Sequence, residues 1–366
     1  MRNNRIRNLL LLLLAALVLQ GSAEARLPTV GDLQLPSELT DTAGGVEELM
    51  DPDAGGDFGL ASGAAALWNR AVREVRDDLL AGMRSVAALL AGILLLGVAE
   101  QAAGGKKAGR SVLLIGTAYI TTVSAGQLDA LIGLGRETIT RMTELSTLLL
   151  PPLAAAAAAS GNITAASLRQ VAAVWFSNLL LTAIDRLFIP MVYLYIGIAA
   201  ADAILDGGAL GSIGDLLKKG IKWGLTTLLG LFTAYLTAAG SVSGAVDAAA
   251  VQTAKAAVSA AVPVVGNILA RAAESVLAGA GMLKGLLGVF GMLAILSACL
   301  TPFLHLGVQY LLYQGAAVLA ETAGPPRLAK LMKRLGDAFM LVLAMTASSA
   351  MLLLISVIFS CRAVTA

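Results

Sequence analysis

The chain has 366 residues, of which 57% are apolar and 14% charged, with a mean hydropathy of +0.81 and a formal net charge of +2. A soluble globular chain carries about 45–50% apolar and about 25% charged residues, so this composition suits lipid rather than water as the solvent. The sequence has no extended basic face for nucleic acid, no P-loop, GxSxG or HExxH context, and no Cys/His cluster for a metal, so neither an enzyme activity nor a cofactor is expected.

Residues 1–25 read as an export signal. Arg2, Arg5 and Arg7 precede an apolar run at 9–19, and Ala23-Glu24-Ala25 fits the small-x-small cleavage pattern. The run is too short for a span, which needs about 20 residues. Residues 26–78 are expected to form an extracytoplasmic arm and a lead-in helix. The arm is acidic, with Asp32, Glu38, Asp41, Glu47, Glu48, Asp51, Asp53 and Asp57, and is punctuated by Pro28, Pro36 and Pro52. The lead-in helix, 62–78, would place Trp68, Val72, Val75 and Leu79 on one face and Arg70, Arg73 and Glu74 elsewhere.

Apolar runs then follow at 79–99, 111–134, 145–160, 168–184, 187–205, 223–240, 286–304, 303–320 and 338–359. Pro151-Pro152 breaks the third run, Asp185-Arg186 separates the fourth from the fifth, and the seventh and eighth meet near Pro302. Spans must be helical, because lipid offers the backbone no hydrogen-bond partner. The expected fold is all-α, a polytopic transmembrane bundle of about seven to ten spans. Its transmembrane helices occupy 79–240 and 286–366, with a broken or re-entrant segment, 241–285, between them.

Three segments are rich in Lys and Arg: Lys106, Lys107 and Arg110; Lys218, Lys219 and Lys222; Arg327, Lys330, Lys333 and Arg334. The positive-inside rule places all three in the cytoplasm, so an even number of crossings must separate each from the next. Four runs lie between the first two segments, but only three clear runs lie between the second and third. The segment 241–284 is the candidate for the missing crossing. It holds Asp247, Lys255, Pro263, Gly266, Arg271, Glu274 and Lys284, which are costly against lipid and tolerable against protein or a wet cavity. Asp247 and Lys255 share a helical face two turns apart, and Pro263 with Gly266 suits a hinge or turn. Asp247, Lys255, Pro263, Gly266, Glu274 and Lys284 are therefore the candidate conduit or interaction residues.

The other ionisable groups support plainer readings. Asp129, Asp185, Asp202 and Asp206 fall at or near span ends, where an interfacial position outweighs a proton relay. Asp185-Arg186 pairs internally or marks a tight turn. His305, the one histidine, reads as a packing residue, and Cys299 as a small core residue. Gly281, Gly285, Gly288 and Gly291 form a small-residue stripe for close helix packing.

The string Asp247, Thr253-Ala254-Lys255, Pro263-Val264-Val265-Gly266, Glu274, Val276-Leu277, Lys284 and Gly288 resembles the core of the stage III sporulation protein AE family. The likeness extends to the loop from Asp215 through Lys218-Lys219-Gly220 to Trp223, to Pro325-Pro326-Arg327-Leu328 and to Gly336-Asp337. Asn267 stands where a glycine is expected, and Arg271 where an acidic residue is usual. The resemblance implies a multi-pass subunit in the mother-cell membrane around the engulfed forespore, within a channel-like or secretion-like complex. It implies as partners the other stage III sporulation A-operon proteins and, through them, a forespore membrane protein and a separate ATPase. Membrane lipid is the surrounding medium, and nucleic acid is not a partner. A stand-alone secondary transporter is the alternative; it calls for inverted repeats, and none stands out in this sequence.

Overall fold

The computed structural model describes residues 60–103, 106–159, 163–205, 209–261 and 266–362, with backbone alone for 60–62, 77–78, 103, 106–108, 156–159, 163–169, 209, 239–261, 266–286, 323 and 361–362. The export signal and the acidic arm lie outside the described residues. Within them the chain is helical except at Leu205 and Gly324-Pro325: α1 Leu60–Ala103, α2 Lys106–Ala159, α3 Ile163–Ala183, a π-helical turn Ile184–Phe188, α4 Ile189–Ile204, α5 Ala209–Ala261, α6 Gly266–Ala323 and α7 Pro326–Arg362. Five stretches are long and apolar enough to cross a membrane: Leu79–Ala102, Gly109–Ala155, Gln170–Ile204, Leu287–Thr322 and Pro326–Ser360. The chain is thus a multi-pass membrane protein.

Several apolar runs that read as separate spans prove to be single rods. The runs 111–134 and 145–160 are one helix, α2, of 54 residues that continues through Pro151 and Pro152. The runs 286–304 and 303–320 are one helix, α6, of 58 residues that continues through Pro302. A proline inside a helix loses one hydrogen bond and crowds the carbonyl four residues back, which neighbouring helices and local adjustments can offset. Asp185-Arg186 does not mark a turn either. It lies in the π-helical turn, where the Ile189 N–H donates to the Ile184 carbonyl five residues back, next to Pro190, which has no N–H to give. With the runs fused, α2 and the α3–α4 rod separate the first two basic segments, and α5 and α6 the second and third; among the described residues α5 is not one of the five stretches above.

Contacts across the bundle gather the three basic segments at one end. The place a Cβ would take on Gly116, near the start of α2, is filled by Leu328 of α7, and that on Gly324 by Ile93 of α1. Lys218, early in α5, lies 2.6 Å from Asp337 of α7. This shared end agrees with the positive-inside rule. At 1.5 Å per residue α2 is about 80 Å long, against about 40–45 Å for a bilayer with its head groups, so α2 and the similarly long α5 and α6 extend past the membrane.

Two apolar cores hold the helices together. The one beginning at the basic end joins Leu89, Ile120, Val192, Phe232, Tyr313 and Phe339. The distal one joins Leu67, Leu149, Leu153, Phe290, Leu293 and Leu353. Helix α7 is the central rod: 67% of its most apolar window is buried in protein, against 22% for the α1 span. Exposed Leu95, Leu311 and Trp223 form part of the outer rim, where lipid replaces water as neighbour. Serine and threonine hydroxyls along α7 are returned to the backbone, as in Ser348 to Ala344 O at 2.7 Å and Ser356 to Leu352 O at 2.8 Å, which spares the cost of an unpaired hydroxyl away from water.

The lead-in segment is the first part of α1 and merges with the span without a break. Its buried stripe is Leu67, Ala71 and Val75, while Trp68 and Val72 face outward. The expected face was thus turned by about one residue, because Leu67 and Ala71 have a protein surface to meet: Leu293 of α6 packs where a Cβ on Gly63 would sit, at 2.9 Å. Cys299 is buried as expected, its Sγ 3.8 Å from Leu296 O.

Candidate functional site

The segment 241–285 falls on the end of one long helix and the start of the next. Asp247 and Lys255 lie on α5, which runs to Ala261; Gly266 opens α6, which carries Glu274 and Lys284. Pro263 and the side chains of Asp247, Lys255, Glu274 and Lys284 lie outside the described residues.

The polar centre that the described residues build lies at the basic end, where α4, α5 and α7 meet. Asp202, in the last turn of α4, has a side chain only 5% exposed, and two cations reach its Oδ2. Lys330 donates from Nζ at 3.1 Å, and Arg334 Nη1 lies 3.0 Å away with its own side chain 8% exposed. Both cations come from one face of α7, because residues four apart in a helix stack one above the other. Cations beside the C-terminus of α4 also complement the partial negative charge of its free carbonyls.

The approach depends on Gly211 near the start of α5. A Cβ there would stand 2.6 Å from Arg334 Nη2 and 3.3 Å from both Asp202 carboxylate oxygens, so any larger residue would push the ion pair apart. One turn deeper, Lys218 of α5 pairs with Asp337 of α7 at 2.6 Å, the side chains 25% and 18% exposed. Gln314 of α6 donates from Nε2 to Lys333 O at 3.3 Å and to Asp337 Oδ1 at 3.4 Å. Four helices are therefore tied at this level by groups that would be expensive to leave single away from water.

A second row of polar contacts ties α4 and the π-helical turn to α2. Tyr193 donates to Asp129 Oδ1 at 2.9 Å, and Arg136 Nε lies 2.9 Å from Asp185 Oδ1. Asp185 thus meets a cation on another helix rather than Arg186 beside it. The wider π-helical turn shifts the side-chain register relative to an α-helix. In the first core, the Tyr313 hydroxyl of α6 donates to Gln127 Oε1 of α2 at 2.9 Å and lies 3.0 Å from Ser124 Oγ of the same helix.

Chemically, these contacts close charges rather than present them. A nucleophile with an adjacent base is not among them, and among the described residues no group of three His, Cys, Asp or Glu side chains is placed to hold a metal. Asp202 lies at a span end, as expected, and is there the buried anchor of the clamp. Asp206 lies outside the described residues. Sequence reasoning took Lys330 and Arg334 as loop charges and Lys218 as a topology marker. The available signal was the spacing 330, 334 and 337, which puts two cations and a carboxylate on one face of an otherwise apolar helix.

The comparisons with known proteins bear on this arrangement. The family model described as stage III sporulation protein AE matches residues 49–363, which includes every described helix. A curated relative, "Stage III sporulation protein AE" of Bacillus subtilis (strain 168), is 22% identical over 191 residues, covering 52% of this chain and 48% of the relative. The matched part thus spans about half the length of that relative. No solved structure matches the chain.

Proposed function

We propose, from the premise that this chain belongs to the stage III sporulation protein AE family, that it is an integral membrane subunit of a channel-like or secretion-like complex between mother cell and forespore. The observation that carries this reading is the extent of the family match, 49–363, which takes in the whole described bundle rather than one motif. In this reading the chain resides in the mother-cell membrane around the forespore, beside the other stage III sporulation A-operon proteins. The basic end faces the mother-cell cytoplasm, and a separate ATPase supplies the energy.

Passage or gating is assigned to the α5–α6 ends bearing Asp247, Lys255, Pro263, Gly266, Glu274 and Lys284. Two features support that assignment. The segment sets ionisable residues among apolar ones in sequence, a pattern that marks functional candidates where the segment is shielded from lipid, and the clamp at the basic end closes its charges among themselves. The test is complementation in an endospore-forming host lacking its own copy. Lys255→Ala or Pro263→Ala is expected to stop development after engulfment while membrane insertion, read by loop reporters, is retained. Normal spore yield from both variants would remove the conduit role from this segment.

A further inference from the structure

We infer that α5 crosses the bilayer beside α4 and that its outward polar stripe is wet at membrane depth, lining an aqueous path for anions between copies of this chain. Such a path rests on the conduit role proposed above, and it carries that route from the α5–α6 ends down to the basic end.

Four glycines fix the depth of α5. A Cβ on Gly211 would meet Asp202, on Gly214 Tyr195 and Ile198, on Gly220 Met191 and on Gly224 Phe188. The first turns of α5 therefore lie alongside the length of α4 and run the opposite way. Helix α4 belongs to the apolar stretch Gln170–Ile204, and its Tyr193 and Leu194 are exposed, as suits lipid. At the same depth α5 exposes Asp215, Lys219 and Lys222. Lys222 lies between Gly220 and Gly224, hence level with Met191 and Phe188. That is about 20 Å from the basic end of α4, further than one lysine stem reaches by snorkelling.

Beyond the charges the same face continues as Thr226, Gly230 and Thr237, all exposed. Steps of three, four and seven residues keep these positions on one side of the helix. From Asp215 to Thr237 the stripe runs about 33 Å, against about 30 Å for the hydrocarbon of a bilayer. Thr226 and Thr237 donate to Lys222 O and Thr233 O, which leaves their oxygens free to accept from water. Lys218 is paired with Asp337, whereas Asp215, Lys219 and Lys222 make no ion pair among the described residues. Charges of this kind at membrane depth face protein or a water-filled cavity rather than lipid.

The rest of the rim decides what shields the stripe. Helix α1 packs on α6 and α2, whereas α5 packs chiefly on α3, α4 and α7, so the two stand at different sides of the bundle. The α1 side exposes Leu95, Val98, Ile115, Leu311 and Val318, a surface made for lipid. One copy thus has an apolar rim and a polar stripe. A closed ring of like copies meets both needs, with the rims against lipid and every stripe on a shared wet centre. Two lysines against one aspartate along the stripe raise the local concentration of anions over cations.

The test uses the full chain in liposomes, with Cys299→Ala and Cys361→Ala as background and one new cysteine at a time. Thr226→Cys and Gly230→Cys should react with a membrane-impermeant anionic methanethiosulfonate about tenfold faster than Val98→Cys or Val318→Cys, because a thiol must be wet to ionise and react. The anionic reagent should also outpace a cationic one of similar size at both stripe positions. A Cβ on Gly230 meets nothing within 4 Å, so Gly230→Cys carries the test even if Thr226→Cys fails to fold. Rates at the stripe as slow as at Val98 would overturn the wet face, and equal rates for the two reagents would overturn the anion preference. A monomer alone in native mass spectrometry of the same preparation would overturn the ring. Labelling is read apart from spore formation: a wet stripe with normal spores from Lys255→Ala upholds the lining and removes the role of the α5–α6 ends, and a dry stripe with arrested spores does the reverse.

Discussion

The two ends of the bundle hold their charges in opposite ways. At the basic end the ion pairs run between helices and are shielded, Arg334–Asp202 with side chains 8% and 5% exposed and Lys218–Asp337 with 25% and 18%. In the distal half the pairs Arg70–Glu74 and Arg141–Glu137 stay within one helix, four residues apart, with side chains about half exposed. Helix-to-helix cohesion there comes from the apolar core around Leu149, Phe290 and Leu293. The contrast teaches that charge fixes the relative positions of α4, α5 and α7 at one end, whereas shape and dispersion do so at the other. A buried pair is selective because a mispaired partner is left as an uncompensated charge; an exposed pair is screened and contributes little.

The difference can be broken from its stronger side. Asp202→Ala strands Arg334 and is expected to cost about 3–5 kcal/mol, the range for removing one partner of a buried pair. Unfolding of the purified protein in mixed detergent micelles would register it, and Asp202→Ala combined with Arg334→Met should recover a clear part of the loss. If the single variant were as stable as the parent, the clamp would not be what fixes α4 against α7. In the distal core, Leu149→Ala is expected to cost about 2–5 kcal/mol by opening a cavity beside Gly291 and Val357. The same assay measures it, and it should not respond to salt. Smallest of all, Glu137→Ala removes an exposed within-helix pair and should move stability by no more than about 0.5 kcal/mol. A larger effect would mean that Arg141 and Glu137 serve a packed surface.

Much of the fold was legible because each of its signals is local. Composition fixed lipid as the solvent, apolar runs fixed helices, and basic segments fixed which connections share a side; the contacts Gly116–Leu328, Gly324–Ile93 and Lys218–Asp337 agree with that grouping. The candidate site was legible only in pieces. Lys330, Arg334 and Asp337 advertise one face of α7 by spacing, but their partners Asp202 and Lys218 are more than 100 residues away in sequence, and no periodicity links them.

By itself, then, the sequence determined the solvent, the helical class, the grouping of the basic segments and the family likeness, since each follows from residue type and near-neighbour spacing. Tertiary structure alone decided that Pro151-Pro152 and Pro302 leave their helices unbroken and that Asp185-Arg186 falls in a π-helical turn rather than a reversal. A proline or an ion in a helix is a break only if no neighbour offsets the lost hydrogen bond or charge. Here Pro190 lies beside a π-helical turn, and Asp185 meets Arg136 of α2. The clamp on Asp202 was decided in the same way, because whether a charge is a solvated loop group or a buried anchor depends on what packs against it.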